Sequence, residues 1–415
     1  MASGPSVAIV VVDHDGGEMT LACLRAIAAT QWSGPPLRIV LVDNSPTHPL
    51  TAAQLASVPL LRAADVLRPE HNVGFPAAVN LALDHLHAGS AGGPDHVALV
   101  NNDAFVEPGW LQPLVAALEV DAGLGAVQGK LLFEPAFVPV IIEAPLVTRR
   151  RGPAIGVRVD GPPGTVHSTG FSAVRPGEWW TTEPSALVFV AAAPADTQAS
   201  ISLQAQRPSS AVIDGREIAV GPEPTQVSVP LPTDRVDVVQ NAGNEITTNW
   251  WVRDRGAGRA DGPPFDEGHA IWGWCGGLVL LRSAYLADVG RMDGRFFLYW
   301  EDVDLAWRGA RRGWRYRYVP ASVARHRHGA SLGQGSALFS LLNQRNRLVV
   351  LARHAGPTVA MAAWARTFAE AGWFVWTDVV AAMARRTRPS WQRTSLRVRA
   401  LAGAVPLLVR GPPRR

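Results

Sequence analysis

The chain has 415 residues, of which 47% are hydrophobic and 18% are charged, and its formal net charge is +4. This composition is typical of a folded protein with a sizeable core, and it excludes collagen-like, coiled-coil and wholly disordered classes. The only cysteines, Cys23 and Cys275, exclude a disulfide framework and favour a reducing cytoplasm. Residues 1–5 lack the basic segment that precedes the apolar part of a signal peptide, so we expect no export.

The first hundred residues alternate between patterns of strands and helices. Residues 7–12 and 38–42 are continuous apolar, β-branched runs that predict buried strands, and residues 19–29 between them have helical spacing. A second helix is predicted over residues 76–86, and a strand over residues 96–100. This alternation predicts an α/β fold with a parallel, doubly wound sheet.

Three of the predicted strands are followed directly by polar residues that include an aspartate. These strand ends are Asp13-His14-Asp15, Asp43-Asn44-Ser45 and Asn101-Asn102-Asp103. Open α/β sheets bind their ligands at the carboxyl ends of the strands. A carboxylate such as Asp103 would suit Mg²⁺ or Mn²⁺ there, and ordinary turn chemistry is the alternative for Asn-Asn-Asp.

The pattern of the sequence changes between residues 137 and 235. Proline and glycine separate short alternating runs, which lie at residues 186–192, 200–206, 211–220 and 225–231. Such runs predict an inserted all-β sandwich. Patterns of an α/β protein return at residues 276–281 and with a helix over residues 306–312, so the insert splits the main body.

An acidic cluster and two histidines follow in the second half of that body. Residues 299–304 read Tyr-Trp-Glu-Asp-Val-Asp and precede the predicted helix. Repulsion among these carboxylates must be offset by a cation, a substrate or the helix N-terminus, and an ordinary acidic helix start is the alternative. His326 and His328 follow a strand predicted over residues 316–319, where an imidazole could bind a metal or lie at the surface.

The C-terminal region is basic and amphipathic. Nine arginines and no acidic residue follow Asp378, interleaved with apolar side chains. No nucleic-acid module accompanies them, so the pattern favours contact with an anionic membrane surface over nucleic acid, with a solvated tail as the alternative. Residues 359–384 are interrupted by Arg366, Glu370 and Asp378 and fall short of the roughly 18–20 apolar residues that span a bilayer.

Taken in order, these motifs resemble the GT-A glycosyltransferases of family two, particularly bacterial rhamnosyltransferase-like members and the related galactofuranosyltransferases. The resemblance covers residues 6–136 and 238–353, with a weaker motif, Val-Gln-Asn-Ala-Gly, at residues 239–243. It is carried by residues 7–12 with their helix, Leu41-Val42-Asp43-Asn44-Ser45, Asn72-Val73-Gly74-Phe75-Pro76-Ala77-Ala78-Val79-Asn80, Asn101-Asn102-Asp103 and Phe296-Phe297-Leu298-Tyr299-Trp300-Glu301-Asp302-Val303-Asp304. It implies a Rossmann-like GT-A fold with the β-rich insert and a helical, basic C-terminal tail.

Four segments follow from this interpretation. Residues 1–136 would form the half that binds the nucleotide-sugar, and residues 137–237 the β-rich inserted module. Residues 238–353 would form the acceptor-binding and catalytic half. Residues 354–415 would form the amphipathic, basic C-terminal region.

On the donor side, the resemblance implies contacts from the first half of the chain. It implies that Asp43 holds the nucleobase and that a glycine at position 74 permits close approach of the backbone. A nucleoside contact by Asp15 stays open, because residues 13–15 depart from the aromatic-plus-asparagine pattern common in the family. The implied donor-binding residues are Asp43, Asn72, Gly74, Asn80, Asn102 and Asp103.

The resemblance also implies a divalent metal ion, Mn²⁺ or Mg²⁺. Asp103 matches the last acidic position of the family's metal motif. Asn101 stands where the fullest form of that motif has an aspartate, which leaves the site with fewer protein charges. The likeness to the galactofuranosyltransferases then implies His326 as the second protein ligand, with His328 as the fallback.

On the acceptor side, Asp302 matches the family's catalytic base, which takes the proton of the acceptor hydroxyl as that oxygen attacks the anomeric carbon. Glu301 is expected beside it, where it would bind acceptor hydroxyls. Trp272, Trp274 and Trp300 lie in the acceptor half, and indole faces pack well on sugar rings. Packing in the core is the alternative for these tryptophans.

The resemblance therefore implies an inverting glycosyltransferase that moves a hexose from a nucleotide-diphosphate donor to a hydroxyl of a cell-envelope glycan or lipid-linked acceptor. It favours thymidine-diphospho-rhamnose (dTDP-rhamnose) over uridine-diphospho-galactofuranose and guanosine-diphospho-mannose. The expected place is cytoplasmic, peripheral at the inner face of the cytoplasmic membrane. The alternatives are a non-catalytic carbohydrate-binding scaffold on a transferase fold, and another enzyme of nucleotide-sugars.

Overall fold

A mixed β-sheet with helices on both faces forms the centre of the fold, and a β-sandwich and a group of C-terminal helices adjoin it. The structure is a computed structural model. It describes residues 4–88, 92–134, 136–148, 154–175, 178–193, 195–327, 336–384 and 388–410.

The first half of the central body alternates strands and helices. Its elements are β1 (Val7–Asp13), α1 (Glu18–Ala28), β2 (Arg38–Asp43), α2 (Ala52–Ala56), β3 (Leu61–Leu67), α3 (Phe75–His87), β4 (His96–Asn101), β5 (Ala104–Val106), α4 (Leu111–Val120) and β6 (Leu124–Phe133). The five elements that the sequence predicts in this region are confirmed to within one residue at each end.

Strand β1 shows how the sequence places a core on each face of the sheet. Successive side chains of a strand point to opposite faces, so alternate residues enter different cores. Ile9 and Val11 pack with α1 and α4, whereas Ala8 and Val10 pack with α3. A continuous apolar run is therefore what a strand covered on both faces requires.

The inserted segment is a sandwich of two five-stranded antiparallel sheets. Its strands are β7 (Phe137–Glu143), β8 (Val157–Asp160), β9 (Val166–His167), β10 (Phe171–Arg175), β11 (Glu178–Thr181), β12 (Ser185–Ala191), β13 (Gln198–Ala205), β14 (Ser209–Ile213), β15 (Arg216–Val220) and β16 (Thr225–Pro230). The single run predicted over residues 211–220 is a hairpin, because Asp214 and Gly215 both adopt positive φ and turn the chain.

The chain returns to the central body after the sandwich. The elements of this second half are β17 (Val238–Asn241), β18 (Asn244–Ile246), β19 (Val252–Asp254), β20 (Arg259–Ala260), β21 (His269–Ile271), β22 (Leu278–Arg282), α5 (Ser283–Val289), α6 (Glu301–Ala310) and β23 (Arg315–His326). The helix predicted over residues 306–312 begins earlier, at Glu301, and the strand predicted over residues 316–319 continues to His326.

The order of strands in the central sheet is β20-β17-β6-β22-β4-β1-β2-β3. Strands β2, β1 and β4 are parallel, as predicted, and β3, which the sequence did not predict, is parallel to β2. Beyond β4 the sheet is mixed, which the sequence did not predict. The cause is β22, which lies antiparallel between β4 and β6. The chain reaches it only after the sandwich and strands β17 to β21.

Helices close the structure at the C-terminal side. They are α7 (Ala337–His354), α8 (Pro357–Phe374), α9 (Ala381–Ala384) and α10 (Gln392–Val409), with a π-helical stretch, Val375–Val380, between α8 and α9. Their shared core includes Leu348, Leu351 and Ala404, and it also takes in Trp300 from the acidic segment. Within the described ranges, no helix is both long and apolar enough to cross a membrane.

Candidate active site

The polar ends of β1, β2 and β4 meet at one edge of the sheet, as predicted from the sequence. Asp13 pairs in register with Asp43, and Val12 pairs with Asn101. The Oδ1 atom of Asp13 accepts hydrogen bonds from Thr20 and, at 3.2 Å, from Nδ2 of Asn102. The buried Asn102 side chain therefore supports the sheet edge from within.

Asp43 is buried at the end of β2 and is only partly satisfied. Its Oδ2 atom accepts from the Leu50 amide at 3.0 Å and from Nε of Arg68 at 3.1 Å. Its Oδ1 atom is buried and has no hydrogen-bond partner among the described residues. Burial, with a contribution from the charge of Asp13, raises the pKa of this carboxyl. An acceptor without a donor here would suit an N–H group of a bound base.

The loop before α3 is built around Asn72 and Gly74. Oδ1 of Asn72 accepts from Nδ2 of Asn44 and from the Gly74 amide, both at 2.9 Å. Gly74 has a φ of 80°, and a Cβ atom there would lie 2.4 Å from the carbonyl oxygen of Phe297. The close approach expected of this glycine is therefore made to the chain itself, which joins the loop to the acidic segment.

Asn80 lies on helix α3, within the loop-and-helix motif predicted for the donor side, and its side chain bonds to another segment of the chain. Its Nδ2 atom donates to the carbonyl of Met292 at 2.8 Å, and its Oδ1 atom accepts from the Met292 amide at 3.2 Å. Both polar atoms of the side chain are thus engaged with one backbone position. Asn80 therefore anchors the segment that precedes α6 to helix α3.

Asp103 and His326 lie side by side, although 223 positions separate them in the chain. Nε2 of His326 is 2.8 Å from Oδ1 of Asp103, and Nδ1 of His326 is 2.7 Å from Oε1 of Gln240. The ladder between β5 and β23 sets this contact, because His326 pairs in register with Ala104. Gln240 holds the far side of the imidazole and so directs Nε2 towards the carboxylate.

The Asp103–His326 pair fits a divalent cation as a two-ligand site. Carboxylate oxygen and imidazole nitrogen both bind Mn²⁺, and Mg²⁺ in nucleotide sites is often held by one or two carboxylates with substrate oxygens completing the shell. Among the described residues there is no group of three or more His, Cys, Asp or Glu side chains that could hold a metal alone. His328 lies outside the described residues.

A cavity of about 390 Å³ opens beside this pair. Its walls come from β4, the segment before β22, the start of α6, the end of β23 and helix α7. The polar and aromatic residues that line it include Asn101, Gln240, Asn244, Trp251, Asp254, Trp300, Glu301, Asp302, His326 and Asn343. The structure thus brings His326 of the predicted metal pair and both predicted acceptor carboxylates to one space.

Glu301 and Asp302 occupy the first turn of α6 and face this cavity. Glu301 is 6% exposed, and its Oε2 atom is buried without a hydrogen-bond partner in the described ranges. Burial, reinforced by the neighbouring Asp302 charge, raises the pKa of Glu301 to about 8. Burial also raises the pKa of Asp302 to about 6, although the Val303 amide donates to its Oδ1 at 2.7 Å. Burial and the repulsion between the two carboxylates thus oppose their ionisation at the same time.

The backbone before these acids is strained. Phe297, Tyr299 and Trp300 all have φ between 67° and 72°, a left-handed conformation that costs about 1–3 kcal/mol for a residue other than glycine. Nδ2 of the buried Asn346, on α7, compensates by donating to the carbonyls of Phe296, Leu298 and Tyr299 at 2.8–3.1 Å. Sequence reasoning missed Asn346, since an asparagine inside a helix carries no signal of this role.

The three tryptophans that were predicted to bind the acceptor lie in different places. Trp300 lines the cavity and donates from Nε1 to Asn343 at 3.2 Å. Trp274 is fully buried in the core beneath α3 and α5, so its predicted role in binding acceptor is wrong. Trp272 packs edge-on against Trp307, outside the cavity lining. Packing in the core was the alternative, and it holds for Trp274 because apolar neighbours surround its ring.

Two further cavity residues went unpredicted. Asp254 lies at the end of β19, accepts from Nδ2 of Asn241 at 2.6 Å, and has its pKa raised to about 6 by burial. Trp251 lines the cavity and packs edge-on against Trp300. The weak motif at residues 239–243 is the one signal that pointed here, since it contains Gln240 and Asn241.

Comparison with known proteins bears on the first half of the body. The sequence model of the family described as Glycosyl transferase family 2 matches residues 6–134. The chain carries a family 2 glycosyl transferase domain. This domain contains β1 to β6 with Asp43 and Asp103 and ends just before the sandwich, whereas Asp302 and His326 lie beyond the match. The GT-A class expected for the α/β body, with a β-rich insert and C-terminal helices, is confirmed.

A relative of this chain is N-acetylglucosaminyl-diphospho-decaprenol L-rhamnosyltransferase of Mycobacterium tuberculosis, from strains CDC 1551 / Oshkosh and ATCC 25618 / H37Rv. It is 39% identical over 87 residues, which is 20% of this chain and 28% of the relative. The match therefore spans little more than a quarter of the relative's length. The expected likeness to rhamnosyltransferase-like members is confirmed over this stretch.

Two solved structures are similar at lower identity. GalNAc-T7 with UDP, GalNAc and Mn²⁺ is 14% identical with a TM-score of 0.43, covering 84% of this chain and 48% of that one. The mannosyltransferase PcManGT from Pyrobaculum calidifontis, in complex with GDP-Man and Mn²⁺, is 13% identical with a TM-score of 0.39, covering 97% and 87% respectively.

Proposed function

We propose that the chain is an inverting glycosyltransferase that moves a sugar from a nucleotide-diphosphate donor to an acceptor hydroxyl. One observation carries this proposal. Asp302, the expected base, lines the same cavity as His326, which contacts Asp103 at 2.8 Å. A base and a metal site next to one cavity suit a displacement at the anomeric carbon, because the attacking and leaving groups lie on opposite sides of that atom.

Asp302 would act as the general base. Its half-buried carboxylate has a pKa raised to about 6, so it is ionised at neutral pH and still basic enough to accept the proton of a hydroxyl. The Val303 amide, 2.7 Å from Oδ1, holds the carboxylate in one orientation. The acceptor oxygen, relieved of its proton, attacks the anomeric carbon from the side opposite the diphosphate, which inverts the configuration.

Glu301 would bind the acceptor as a neutral acid. Because its pKa is raised to about 8, this side chain keeps its proton at neutral pH. A protonated carboxyl both donates and accepts hydrogen bonds, which matches a sugar hydroxyl. A second negative charge beside Asp302 is thereby avoided.

The donor side would be formed by Asp43 and by the Asp103–His326 pair. The unpartnered Oδ1 of Asp43 would accept a hydrogen bond from the nucleobase. Asp103 and His326 would hold a divalent ion, Mn²⁺ or Mg²⁺, and this ion would offset the negative charge that the donor diphosphate carries and gains on departure. Asn102 and Asn72 would support this side through the sheet edge and the loop before α3.

For the substrates we propose dTDP-rhamnose as donor and a lipid-linked cell-envelope glycan as acceptor. The support is the 87-residue match to a rhamnosyltransferase whose name includes a diphospho-decaprenol acceptor. The cavity beside Asp302 has aromatic walls in Trp251 and Trp300, which suit the apolar face of an acceptor sugar.

We further propose that the protein binds peripherally to the anionic inner face of the cytoplasmic membrane. On α8 and the π-helical stretch, Met361, Phe368 and Trp376 are 64%, 74% and 59% exposed. The nearby acids are neutralised, since Glu370 pairs with Arg366 and Arg397. The surface is therefore apolar and cationic, as interfacial helices are.

Calorimetry with a panel of nucleotide diphosphates and nucleotide-sugars, with Mn²⁺ and then with chelator, tests the proposed function. We expect metal-dependent binding of thymidine nucleotides in the wild type and in Asp302→Asn, and sugar transfer by the wild type alone. Absence of binding across the panel would overturn the proposal in favour of a non-catalytic scaffold.

A further inference from the structure

A second cavity, of about 350 Å³, lies between helices α7 and α8 and the turn before β19. Two guanidinium groups line it, those of Arg347 and Arg366, together with Trp250 and the first turn of α8 at Thr358 and Val359. No acidic side chain is among the described residues of its lining, which also include Asn249, Ala362 and Ala363. The proposed mechanism uses none of these groups.

Arg347 is a buried cation in this lining, with 4% of its surface exposed. Its Nε and Nη2 atoms donate to the carbonyls of Trp250 and Asn249 at 3.1 and 3.0 Å, which orients the guanidinium. Among the described residues its Nη1 atom has no hydrogen-bond partner. Burial and the neighbouring charge of Arg366 lower the pKa of Arg347 to about 10. The guanidinium also stacks over the ring of Trp251, 4.3 Å from its centroid. Arg347 is thus an oriented cation next to a like charge, and its Nη1 atom is available to a ligand.

Arg366 contributes the second cation. It is bound to Glu370 through Nε alone, at 3.1 Å, and both Nη atoms are left for other partners among the described residues. The N-terminus of α8 adds unpaired backbone amides and the positive end of the helix dipole. The Arg366 side chain is 63% exposed, and Glu370 is outside the lining of the cavity. Two guanidiniums and a helix N-terminus around this lining form a site for an anion with several oxygens, because planar guanidiniums bind phosphate in a bidentate manner.

The cavity adjoins both the catalytic cavity and helix α8, which carries the exposed apolar side chains. Trp250 lines this cavity, whereas its neighbour Trp251 lines the catalytic one. On α8, the exposed Met361 and Phe368 lie about a third of a turn round the helix from Ala362, which faces the cavity. An anion bound here would have an acceptor sugar on one side and a lipid chain on the other.

We propose that this cavity binds the diphosphate of an isoprenoid carrier lipid, with the Arg347 and Arg366 guanidiniums as its ligands. The proposal rests on the proposed glycosyltransferase function and names the class of its acceptor. The prenyl chain would lie against the apolar surface of α8, and the sugar attached to the diphosphate would extend towards Asp302.

The test is a binding assay on the full chain, with tryptophan fluorescence as readout and with chelator present so that no metal bridges a diphosphate at the donor side. The probes are inorganic pyrophosphate, farnesyl diphosphate, and phosphatidylcholine vesicles with and without phosphatidylglycerol. We compare the wild type with Arg366→Gln, Arg366→Lys and Arg347→Lys. Arg399→Gln, which removes an exposed arginine of α10 outside this cavity, is the charge-matched control.

Farnesyl diphosphate should bind the wild type more tightly than pyrophosphate. Arg366→Gln should weaken its binding about tenfold or more, which is the loss expected for one charge-assisted pair. Arg366→Lys should recover part of the affinity and Arg399→Gln should keep all of it. Arg347→Lys keeps the positive charge but loses the planar guanidinium that can bind two oxygens. It therefore tests whether binding needs the guanidinium geometry, with circular dichroism showing that the variant is folded.

Three results would overturn the proposal. These are equal loss in Arg366→Gln and Arg399→Gln, equal affinity for pyrophosphate and farnesyl diphosphate, and sensitivity to Arg366 only with phosphatidylglycerol vesicles, which would assign the site to a phospholipid headgroup. Because the assay needs no transfer, failure here leaves the nucleotide-binding test of the proposed function unaffected.

Discussion

Nε2 of His326 lies 2.8 Å from Oδ1 of Asp103, and a strand ladder rather than a neighbouring position in the chain sets that distance. Neither residue alone would hold a divalent ion. Together they supply one imidazole and one carboxylate, which is a ligand set for a cation that is completed by substrate oxygens.

Replacement of either member of this pair should weaken metal-dependent nucleotide binding. Asp103→Ala and His326→Ala each remove one of two protein ligands, so the affinity for a nucleotide diphosphate with Mn²⁺ should fall at least about tenfold, in line with the loss of a charge-assisted contact. His85→Ala is the matched control, because His85 contacts Asp65 at 2.9 Å on the far edge of the sheet. Calorimetry with and without chelator measures the effect, and equal losses in all three variants would contradict the assignment.

The rate of sugar transfer should have a bell-shaped pH dependence. Asp302 must be ionised to accept a proton, so kcat should fall as pH drops below about 6. Glu301 must keep its proton to donate, so kcat should fall as pH rises above about 8. Asp302→Asn should lower kcat by about 10²–10⁴-fold with nucleotide binding unchanged. Glu301→Gln should flatten the alkaline limb only, and an unchanged profile in that variant would remove Glu301 from the mechanism.

Stability should also depend on Glu301. In the folded protein its pKa is raised to about 8 from an ordinary 4.5, so between these pH values the folded state binds the proton that the unfolded state has released. The free energy of unfolding should therefore decrease as pH rises through this range. Glu301→Gln carries no such charge and should be more stable than the wild type at pH 8, with little difference at pH 4.5. Urea titrations at both pH values provide the comparison.

Asn346 should matter for catalysis although it does not line the catalytic cavity. Asn346→Ala removes the donor to the carbonyls of Leu298 and Tyr299, at a cost of about 1–3 kcal/mol for an unsatisfied buried group, whereas the Phe296 carbonyl keeps the bond from Nη2 of Arg345 at 2.6 Å. Gln344→Ala is the control on the same helix, since Gln344 is buried and bonds to Thr367 instead. Both variants should lower Tm, but only Asn346→Ala should lower kcat at a temperature where both are folded. Equal kcat values would make Asn346 a purely structural residue.

The exposed apolar side chains of the α8 region should mediate vesicle binding. A Phe368→Ser, Trp376→Ser double variant should lower partitioning onto vesicles of phosphatidylcholine and phosphatidylglycerol at least about tenfold, since burial of one large side chain contributes about 1.5–3 kcal/mol. Ile141→Ser removes a side chain that is 55% exposed on the sandwich and serves as control. Co-sedimentation measures the partitioning. Identical behaviour of the double variant and the wild type would exclude this surface as the membrane contact.

The spacing of apolar, polar and turn residues predicted the strands and helices that depend on short segments of the chain. The strands β1, β2 and β4 followed from apolar runs, and the polar residues after them met at one edge because parallel strands end on the same side of a sheet. The sandwich followed from alternation and turn residues. The roles of Asp103, His326 and Asp302 came from resemblance, and they stay predictions.

Other features had no local signal. Trp274 and Trp300 stand in similar aromatic surroundings in the sequence, yet one is fully buried beneath the sheet and the other lines the cavity. Asn80 belongs to the same motif as Asn72, but helical rotation turns it towards Met292. Whether a given side chain is buried depends on the elements that pack against it, and a short motif does not predict which elements these are.

The sequence by itself determined the alternation of elements, the two-sided core of the sheet, the presence of the β-rich insert and the polar strand ends, because each depends on spacing over a few residues. Only the tertiary structure decided that β22 enters antiparallel and that β5 pairs with β23 to bring His326 to Asp103. It also placed Asn346 under the strained turn and Arg347 beside Arg366. These contacts join segments far apart in the chain, so their free energy depends on the assembled packing and leaves no periodic trace in the sequence.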